Sequence, residues 1–356
     1  MSTPHRLTLT QFLIEERRRF PHASGDFNSL ILNVALACKT IARKVACGAL
    51  ASDPQGGTVN VQGETQIAMD IIGNEVFLQV NEWCGCLAGM ASEEMAAPYQ
   101  IPACYPKGKY LLLFDPLDGS SNLDVDVSVG SIFSVLRAAN REGDVSEADF
   151  LQRGCEQLAA GYAIYGPATM LVLTVGNGVN GFTLDASVGE FMLTHPAMRV
   201  LDDCSEFAIN ASNSRFWEGP VRRYVEECLA GRSGARCKDF NMRWIASLVA
   251  EAHRILLRGG VFLYPRDSKD AGKAGRLRLL YEANPIGFII EQAGGRASTG
   301  RQPLLEVQPD SLHQRIGLVF GARHEVDRIE RYHHELQPRE AHNPLFHEHG
   351  LFRLPA

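Results

Sequence analysis

The chain has 356 residues, enough for two domains or one large α/β unit, and its 45% hydrophobic and 21% charged residues are typical of a globular protein. A formal net charge of −6 argues against a nucleic-acid partner and favours a small-molecule enzyme. No apolar run approaches the roughly 20 residues of a membrane helix, and the charged residues Glu15–Arg19 close the first apolar patch before it could form a signal-peptide core.

The N-terminal part of the chain carries two helical patterns. Apolar residues recur over Asn28–Ala46 at the spacing of an amphipathic helix, and Gly48 is placed to end it. A second helix is predicted over Gln66–Val80, with Asp70 on its polar side. A short strand of small residues, Gly85–Ala91, then leads into an acidic segment.

Strands separated by Gly and Asn turns dominate the middle of the chain, and strands and helices alternate after it. An interruption over Thr194–Asp203 predicts a boundary between domains 1–197 and 198–332. The predicted strands are Tyr110–Phe114, Ser131–Arg137, Gly161–Ile164, Thr169–Val175, Gly181–Leu184, Val261–Tyr264 and Arg278–Tyr281, and the predicted helices are Phe216–Ala230, Trp244–Leu257 and Pro285–Gln292.

The C-terminal stretch from Arg331 is rich in histidine, and we interpret residues 333–356 as a loosely ordered tail. Metal binding by these imidazoles is the alternative interpretation. The histidines are His333, His334, His342, His347 and His349.

The nine cysteines are odd in number and irregularly spaced, which predicts free thiols in a reducing compartment. We therefore expect a cytoplasmic protein. Cys84 and Cys86 form a C-x-C pair without a second pair nearby, so packing is favoured over zinc binding there.

The segment Lys109–Asn122 is the most informative part of the sequence. Its apolar half predicts a buried strand that delivers two acids, Asp115 and Asp118. Because Pro116 has no N–H and a fixed φ, the chain is expected to leave the sheet there, so that the Leu117 carbonyl points outward beside the carboxylates. Such hard oxygen ligands suit Mg²⁺.

The residues that follow these acids predict an anion-binding turn. Gly119, Ser120, Ser121 and Asn122 are expected to offer free backbone N–H groups, with a helix or turn opening nearby. Oxygen ligands beside an N–H array are what metal-assisted phosphate chemistry requires.

Further acids stand where predicted elements end. Glu93 and Glu94 follow one strand, Asp70 lies on a helix, and Glu282 closes the predicted strand Arg278–Tyr281. Each alone is consistent with a solvated carboxylate. Together they supply acids at the ends of several elements, as in the sites of α/β folds.

Over about Leu7 to Tyr332 the chain resembles a class I fructose-1,6-bisphosphatase. The resemblance implies an α/β fold with alternating helix and sheet layers, the sugar phosphatase fold shared with inositol monophosphatases. It also implies Mg²⁺-dependent hydrolysis of the 1-phosphate of fructose 1,6-bisphosphate by a metal-activated water. The blocks that carry it are Ser92–Glu94, Phe114–Asn122, Ala160–Gly166, Gly260–Pro265 and Leu279–Pro285.

The resemblance also implies roles for individual residues. The expected cofactor is Mg²⁺, about two or three ions per subunit, with Mn²⁺ or Zn²⁺ as alternatives. The expected metal ligands are Glu93, Glu94, Asp115, the Leu117 carbonyl, Asp118 and Glu282, and the expected catalytic acids are Asp70 and Glu94. The expected substrate-binding residues are Asp118, Gly119, Ser120, Ser121, Asn210, Arg243, Tyr264, Arg276 and Arg278.

Quaternary structure and regulation follow from the same resemblance. Arg243 aligns with an arginine that enters a neighbouring subunit's pocket, which implies a homotetramer. An AMP-type regulatory site is a hypothesis, because its entrance departs from the usual threonine-rich helix start. Its candidate residues are Ser24, Gly25, Asn28, Lys109, Tyr110 and Arg137.

Departures in the distal pocket leave alternatives open. Animal enzymes of the family have tyrosines where this chain has Asn213 and Trp244, and a lysine where it has Arg276. Sedoheptulose 1,7-bisphosphate is therefore a rival or second substrate. The pathway expected for fructose 1,6-bisphosphate hydrolysis is gluconeogenesis or a reductive pentose (Calvin) cycle. An inositol monophosphatase-like enzyme and a catalytically inert metabolite-binding regulator are more distant alternatives; the first has no use for a distal pocket, and the second predicts a broken metal set.

Overall fold

The computed structural model describes residues 6–19, 25–48, 58–59, 65–66, 68–139, 143–270 and 272–335. Helices pack at the N-terminal end, and the two predicted ones are confirmed with small shifts at their ends. Within the described residues no helix is both long and apolar enough to cross a bilayer. The helices of the N-terminal half are α1 (Leu9–Arg17), α2 (Asp26–Ala46), α3 (Ala68–Asn81) and α4 (Glu147–Phe150).

The N-terminal half is built on an eight-stranded sheet. Its order is β10-β9-β8-β7-β6-β5-β3-β4, and only the β3–β5 pair is parallel. A separate pair, β1 (Thr58–Val59) and β2 (Thr65–Gln66), is antiparallel. The strands of the large sheet are β3 (Leu87–Ser92), β4 (Tyr99–Gln100), β5 (Tyr110–Asp118), β6 (Val129–Arg137), β7 (Ala159–Tyr165), β8 (Thr169–Thr174), β9 (Val179–Asp185) and β10 (Glu190–Met198).

The C-terminal half is built on a five-stranded sheet in the order β12-β11-β13-β17-β15, with a small pair β14–β16 beside it. The strands are β11 (Glu206–Ile209), β12 (Asn241–Met242), β13 (Val261–Tyr264), β14 (Leu277–Arg278), β15 (Arg296–Ser298), β16 (Arg315–Ile316) and β17 (Leu318–Gly321). The helices are α5 (Gly219–Leu229), α6 (Leu248–Arg258), α7 (Asn284–Gln292) and α8 (Arg323–His334).

Helix and sheet layers alternate, as predicted. Helices α1 to α3 bury their apolar faces against one face of the large sheet, where Phe133 belongs to their core. The neighbouring Ile132 points to the opposite face, and there it joins a core shared by α6, α7 and the small sheet. Helices α5 and α8 cover the far face of the small sheet. The site described below lies where the two halves meet, between β5 and α6.

Two strand predictions were wrong in ways that matter for the site. β5 does not end at Phe114 but continues through Pro116 to Asp118, with a register shift between Asp115 and Asp118 that accommodates the missing N–H as a bulge. The strand predicted over Arg278–Tyr281 is only Leu277–Arg278, and the chain then forms a π-helical turn, Leu279–Ala283, that runs into α7.

Helix boundaries in the C-terminal half also needed correction. The helix predicted from Trp244 begins only at Leu248, because Ser247 caps it and Ala246 has a φ of 63°. The helix predicted from Phe216 begins at Gly219. His333 and His334 belong to α8 rather than to a tail, whereas the other C-terminal histidines lie outside the described residues.

Candidate active site

The end of β5 places two carboxylates at the junction of the two halves. Asp115 accepts a hydrogen bond from the Leu117 N–H (2.9 Å), so the bulge folds back on its own side chain. Helix α3 packs against this bulge at Gly73, where a Cβ would lie only 3.2 Å from the Pro116 Cβ. The bulge is therefore held on one side by its own carboxylate and on the other by a helix that approaches closely because Gly73 has no side chain.

Three buried carboxylates converge here. Asp115, Asp118 and Glu282 each offer an oxygen, and these oxygens all lie within 4.8 Å of one another. Burial, followed by the charges of Glu93 and the other two acids, raises the pKa of Asp115 well above its ordinary value. Burial chiefly raises the pKa of Asp118 to about 6, and burial with the charge of Glu93 raises that of Glu282. The cluster therefore holds mutually repelling oxygens, an arrangement that fits a divalent cation.

Glu93 joins the cluster through an arginine. The Arg278 side chain is almost fully buried, and its Nε donates to Glu93 Oε1 (3.0 Å), while the Arg278 backbone N–H donates to Glu282. The arginine predicted to assist the 1-phosphate thus contacts two of the predicted metal ligands. Its guanidinium offsets part of the negative charge of the cluster.

The two predicted catalytic acids lie on neighbouring elements. Glu94 follows β3, and its N–H donates to Ser92 Oγ (3.2 Å). Asp70 lies in the first turn of α3 and is buried, on the helix face that also presents Gly73 and Phe77. Because Gly73 touches Pro116 and the Phe77 ring stacks on Phe114 at 4.5 Å, that face lies along β5. Asp70 was predicted on a polar side of the helix, but it is part of the packed face.

The predicted anion-binding turn is a 3₁₀ helix, Ser120–Val125, that follows Gly119 (φ 77°). The Asn122 N–H donates to the Gly119 carbonyl (2.9 Å), so it is not one of the free donors that the sequence predicted. Ser120 and Ser121 occupy the first turn of this helix, where backbone N–H groups lack intrahelical partners.

The start of α6 contributes contacts that the sequence interpretation missed. The Val249 N–H donates to Asp118 Oδ2 (2.8 Å), and the Ser247 hydroxyl lies 3.4 Å from the same oxygen. Asn122 Nδ2 donates to the Ala246 carbonyl (2.9 Å) across the same junction. Ser247, a preferred N-cap residue in front of an apolar helical pattern, signals the start of α6 but not these contacts.

The residues predicted to bind the sugar include two that lie at the ends of β11 and β13. Asn210 follows β11 and caps a short 3₁₀ helix by accepting from the Ser212 N–H (3.1 Å). Tyr264 ends β13, with its ring 5.9 Å from that of Trp244, which stacks on Phe262 at the same centroid distance. Trp244 is therefore an aromatic packing partner of Tyr264, and Asn213 is the buried residue of the 3₁₀ helix itself.

Cationic residues lie beyond Tyr264. Arg276 and Lys273 line a small cavity of about 10 Å³, enough for about one water molecule, together with Pro265, Asp267 and Gly275. Arg243 stands apart after the edge strand β12, with about half of its side chain exposed and its Nε 3.5 Å from Glu206 Oε1. Its exposure at a sheet edge is compatible with a contact to a second subunit.

The candidate regulatory residues gather at the start of α2. Lys109 Nζ pairs with Asp26 (2.8 Å) and lies over the Tyr110 ring, as Arg137 does. Gly25 is the N-cap with a φ of 91°, whereas the Asn28 side chain donates to the Leu13 carbonyl (2.9 Å) and so ties α2 to α1. Ser24 lies outside the described residues.

All nine cysteines lie in the described part of the chain and are free thiols, as predicted. Cys84 and Cys86 contact each other: the Cys86 N–H donates to Cys84 Sγ (3.4 Å). The hydrogen bond from the Cys86 side chain lowers the pKa of Cys84 to about 6, and the same contact raises that of Cys86.

Comparison with known proteins agrees with this geometry. The family profile described as fructose-1-6-bisphosphatase, N-terminal domain, matches residues 7–196, and the C-terminal domain profile matches residues 200–334. The chain is 67% identical over 355 residues to "Fructose-1,6-bisphosphatase class 1" of Hydrogenophilus thermoluteolus, and 62% identical over 353 residues to "Fructose-1,6-bisphosphatase class 1 3" of Methylibium petroleiphilum, with 99% of each chain covered in both cases.

Solved structures show the same relationship. A crystal structure of Leishmania major fructose-1,6-bisphosphatase in holo form superposes with a TM-score of 0.85 at 37% identity, covering 92% of this chain and all (100%) of that one. The T-state structure of the same protein gives a TM-score of 0.81 at 36% identity, covering 93% of this chain and 99% of that one. The chain therefore belongs to the class 1 fructose-1,6-bisphosphatase family.

Proposed function

We propose that this enzyme hydrolyses the 1-phosphate of fructose 1,6-bisphosphate to give fructose 6-phosphate and phosphate at the junction of the two halves. The observation that carries the proposal is the convergence of buried Asp115, Asp118 and Glu282 beside the turn that begins at Gly119. Oxygen-only ligands favour a hard cation, so Mg²⁺ is the proposed metal, with Mn²⁺ or Zn²⁺ as alternatives. When bound, the cation neutralises phosphoryl charge and acidifies a water molecule.

The protein's own groups then have distinct tasks. The predicted ligands Glu93, Glu94 and the Leu117 carbonyl would complete the metal site around the three clustered acids. Asp70 or Glu94 would accept the proton of the attacking water. The acid that does so must lie within hydrogen-bond reach of that water. Gly119, Ser120 and Ser121 would donate N–H and hydroxyl hydrogen bonds to the 1-phosphate.

Arg278 would switch partners in this scheme. It lies against Glu93 in the structure, and a phosphoryl group entering the site offers it a second anionic partner. The arginine then orients the phosphate while remaining anchored by its backbone N–H to Glu282.

The distal phosphate is not cleaved, so its contacts supply positioning only. Asn210, Tyr264 and Arg276 would form this pocket, and Arg243 would enter that of a neighbouring subunit in a homotetramer. Sedoheptulose 1,7-bisphosphate is a second candidate substrate, because Asn213, Trp244 and Arg276 replace residues of the distal pocket in animal enzymes of the family. An active monomer in a solution size measurement would overturn the role given to Arg243.

Regulation and location are also proposed. The pair of Lys109 with Asp26 and the rings at the start of α2 support an AMP-type site, which would be rejected if saturating AMP leaves activity unchanged. The free thiols support a reducing, cytoplasmic location.

The test is phosphate release from both bisphosphates, with Mg²⁺ and with EDTA. We expect Asp118→Asn to lower kcat by about a hundredfold or more, equivalent to ~3 kcal/mol of lost transition-state stabilisation. The matched control is Asp144→Asn, an exposed surface carboxylate paired with Lys107, which should retain activity. Undiminished turnover in EDTA, or no turnover of either sugar, would overturn the proposal.

A further inference from the structure

We propose that the segment Ala246–Val249, at the start of α6, is a positioning element that orients the carboxylate of Asp118 toward the metal. The inference rests on the proposed role of Asp118 as a ligand. It assigns Ser247 and Asn122 a part in the reaction that acts through Asp118 rather than through direct contact with the reacting atoms.

One carboxylate oxygen of Asp118 receives two contacts from the start of α6. Asp118 Oδ2 accepts the Val249 N–H at 2.8 Å and faces the Ser247 hydroxyl at 3.4 Å, and all three residues are buried. Donors on one oxygen fix the rotation of the carboxylate, so the remaining lone pairs are presented in one direction. Hydrogen bonds of this kind orient ligands in metal sites and tune their affinity.

The two donors come from the other half of the chain. Asp118 ends β5 in the N-terminal half, whereas Ser247 and Val249 belong to the C-terminal half, more than 120 residues later. The orientation of the ligand therefore depends on how the two halves meet. The first turn of α6 also directs its positive dipole end at the carboxylate.

The backbone next to these donors has an unusual, left-handed conformation. Ala246 has a φ of 63°, a left-handed conformation that non-glycine residues seldom adopt, and the Asn122 side chain holds its carbonyl at 2.9 Å. Opposite it, Gly119 has a φ of 77°, and a Cβ there would lie 3.2 Å from both Cβ and Oγ of Ser247. A left-handed residue thus lies on each side of the junction. A simple helix cap requires neither the close approach nor the link from Asn122.

The experiment measures Mg²⁺ and Mn²⁺ binding by calorimetry in the absence of substrate, together with kcat and the unfolding temperature. The variants are Ser247→Ala, Asn122→Ala and their double variant. We expect the metal dissociation constant to rise about tenfold for Ser247→Ala, the low end of the range for groups that orient a ligand, and several-fold for Asn122→Ala. The double variant should show less than the product of the two effects, because both changes release the same segment.

The control is Ser146→Ala, which removes an N-cap of the same type from α4, far from the metal ligands in the sequence and exposed. Ser247→Thr, which keeps the hydroxyl, should restore metal affinity. If Ser247→Thr does not fold, Asn122→Ala carries the decision alone, because its side chain lies at the surface of the junction.

The outcomes separate the two proposals. If Ser247→Ala and Asn122→Ala keep the wild-type metal affinity and only unfold at a lower temperature, the segment is no more than a structural cap. That result would overturn the inference. If Asp118→Asn also keeps wild-type affinity, the assignment of Asp118 as a ligand fails as well. If Asp118→Asn loses the metal while the other two variants keep it, only the positioning inference fails.

Discussion

The buried carboxylates at the junction predict that the metal-free enzyme gains stability when one of them is neutralised. We expect Asp118→Asn to be more stable than the wild-type protein in EDTA at pH 7.5. The amide oxygen can still accept the Val249 N–H, so the main change is the loss of a buried charge beside Asp115 and Glu282.

The size of the effect follows from the pKa of Asp118. Chiefly through burial, that pKa is raised from 3.8 to about 6 in the folded protein. A difference of about two units corresponds to about 3 kcal/mol at most. Because the folded state binds the proton more tightly, the wild-type protein is favoured below pH 3.8 and loses this stability as pH rises through about 6.

The assay is urea unfolding of both proteins in EDTA at pH 7.5 and pH 5. The advantage of Asp118→Asn should narrow by about half at pH 5, where most of the wild-type Asp118 is protonated in the folded state. Mg²⁺ at about a thousand times its dissociation constant should reverse the order, since it adds about 4.1 kcal/mol to the protein that binds it, more than the advantage of Asp118→Asn. Asp144→Asn serves as the control without a buried charge.

A metal-free Asp118→Asn protein less stable than wild type at pH 7.5 would refute this reasoning. So would an advantage that widens toward pH 5. Either result would mean that the acidic cluster is held by compensating contacts and has no need of a cation for its stability.

Three further outcomes are expected. Iodoacetamide should alkylate Cys84 at pH 7 faster than any exposed cysteine, because its thiol has a pKa of about 6, and equal rates in peptide mass spectrometry would contradict this. Arg236→Met should lower the free energy of urea unfolding by about 3 kcal/mol, because it leaves the buried Glu325 without its ion-pair partner; a change within ~0.5 kcal/mol would argue against that pair. Trp244→Phe should keep KM for the bisphosphate near its wild-type value, since the ring packs on Tyr264, whereas a tenfold rise would indicate that the indole N–H binds phosphate.

The layered fold and the acids of the site were predictable because local patterns carry them. Period-two strands, helical spacing and the acids at strand ends can be read within windows of a few residues. The structure brings Asp115, Asp118 and Glu282 together, although the local structure around Glu282 was predicted wrongly; their role as metal ligands stays a prediction. The apolar run before Glu282 fits a strand as well as a buried helical turn, and sequence periodicity cannot separate them.

The parts that could not be predicted depend on distant contacts. Nothing near Ser247 in the sequence indicates that its hydroxyl faces Asp118, since that contact exists only when the two halves meet. The pairing of Arg278 with Glu93 joins residues 185 positions apart. The sequence showed Trp244 as a departure from the tyrosine of animal enzymes, but its stacking on Phe262 is set by tertiary packing.

The π-helical turn over Leu279–Ala283 restricts how the length of this region can change during evolution. A π turn contains one residue more than an α turn, so deleting one residue there would let the segment close as ordinary helix. Each residue of an α-helix advances by about 100°, so Glu282 would rotate away from Asp115 and Asp118 while α7 kept its buried face. Insertions and deletions between related sequences should therefore accumulate in exposed connections. The number of residues from Arg278 to Pro285 should stay fixed even where the side chains vary.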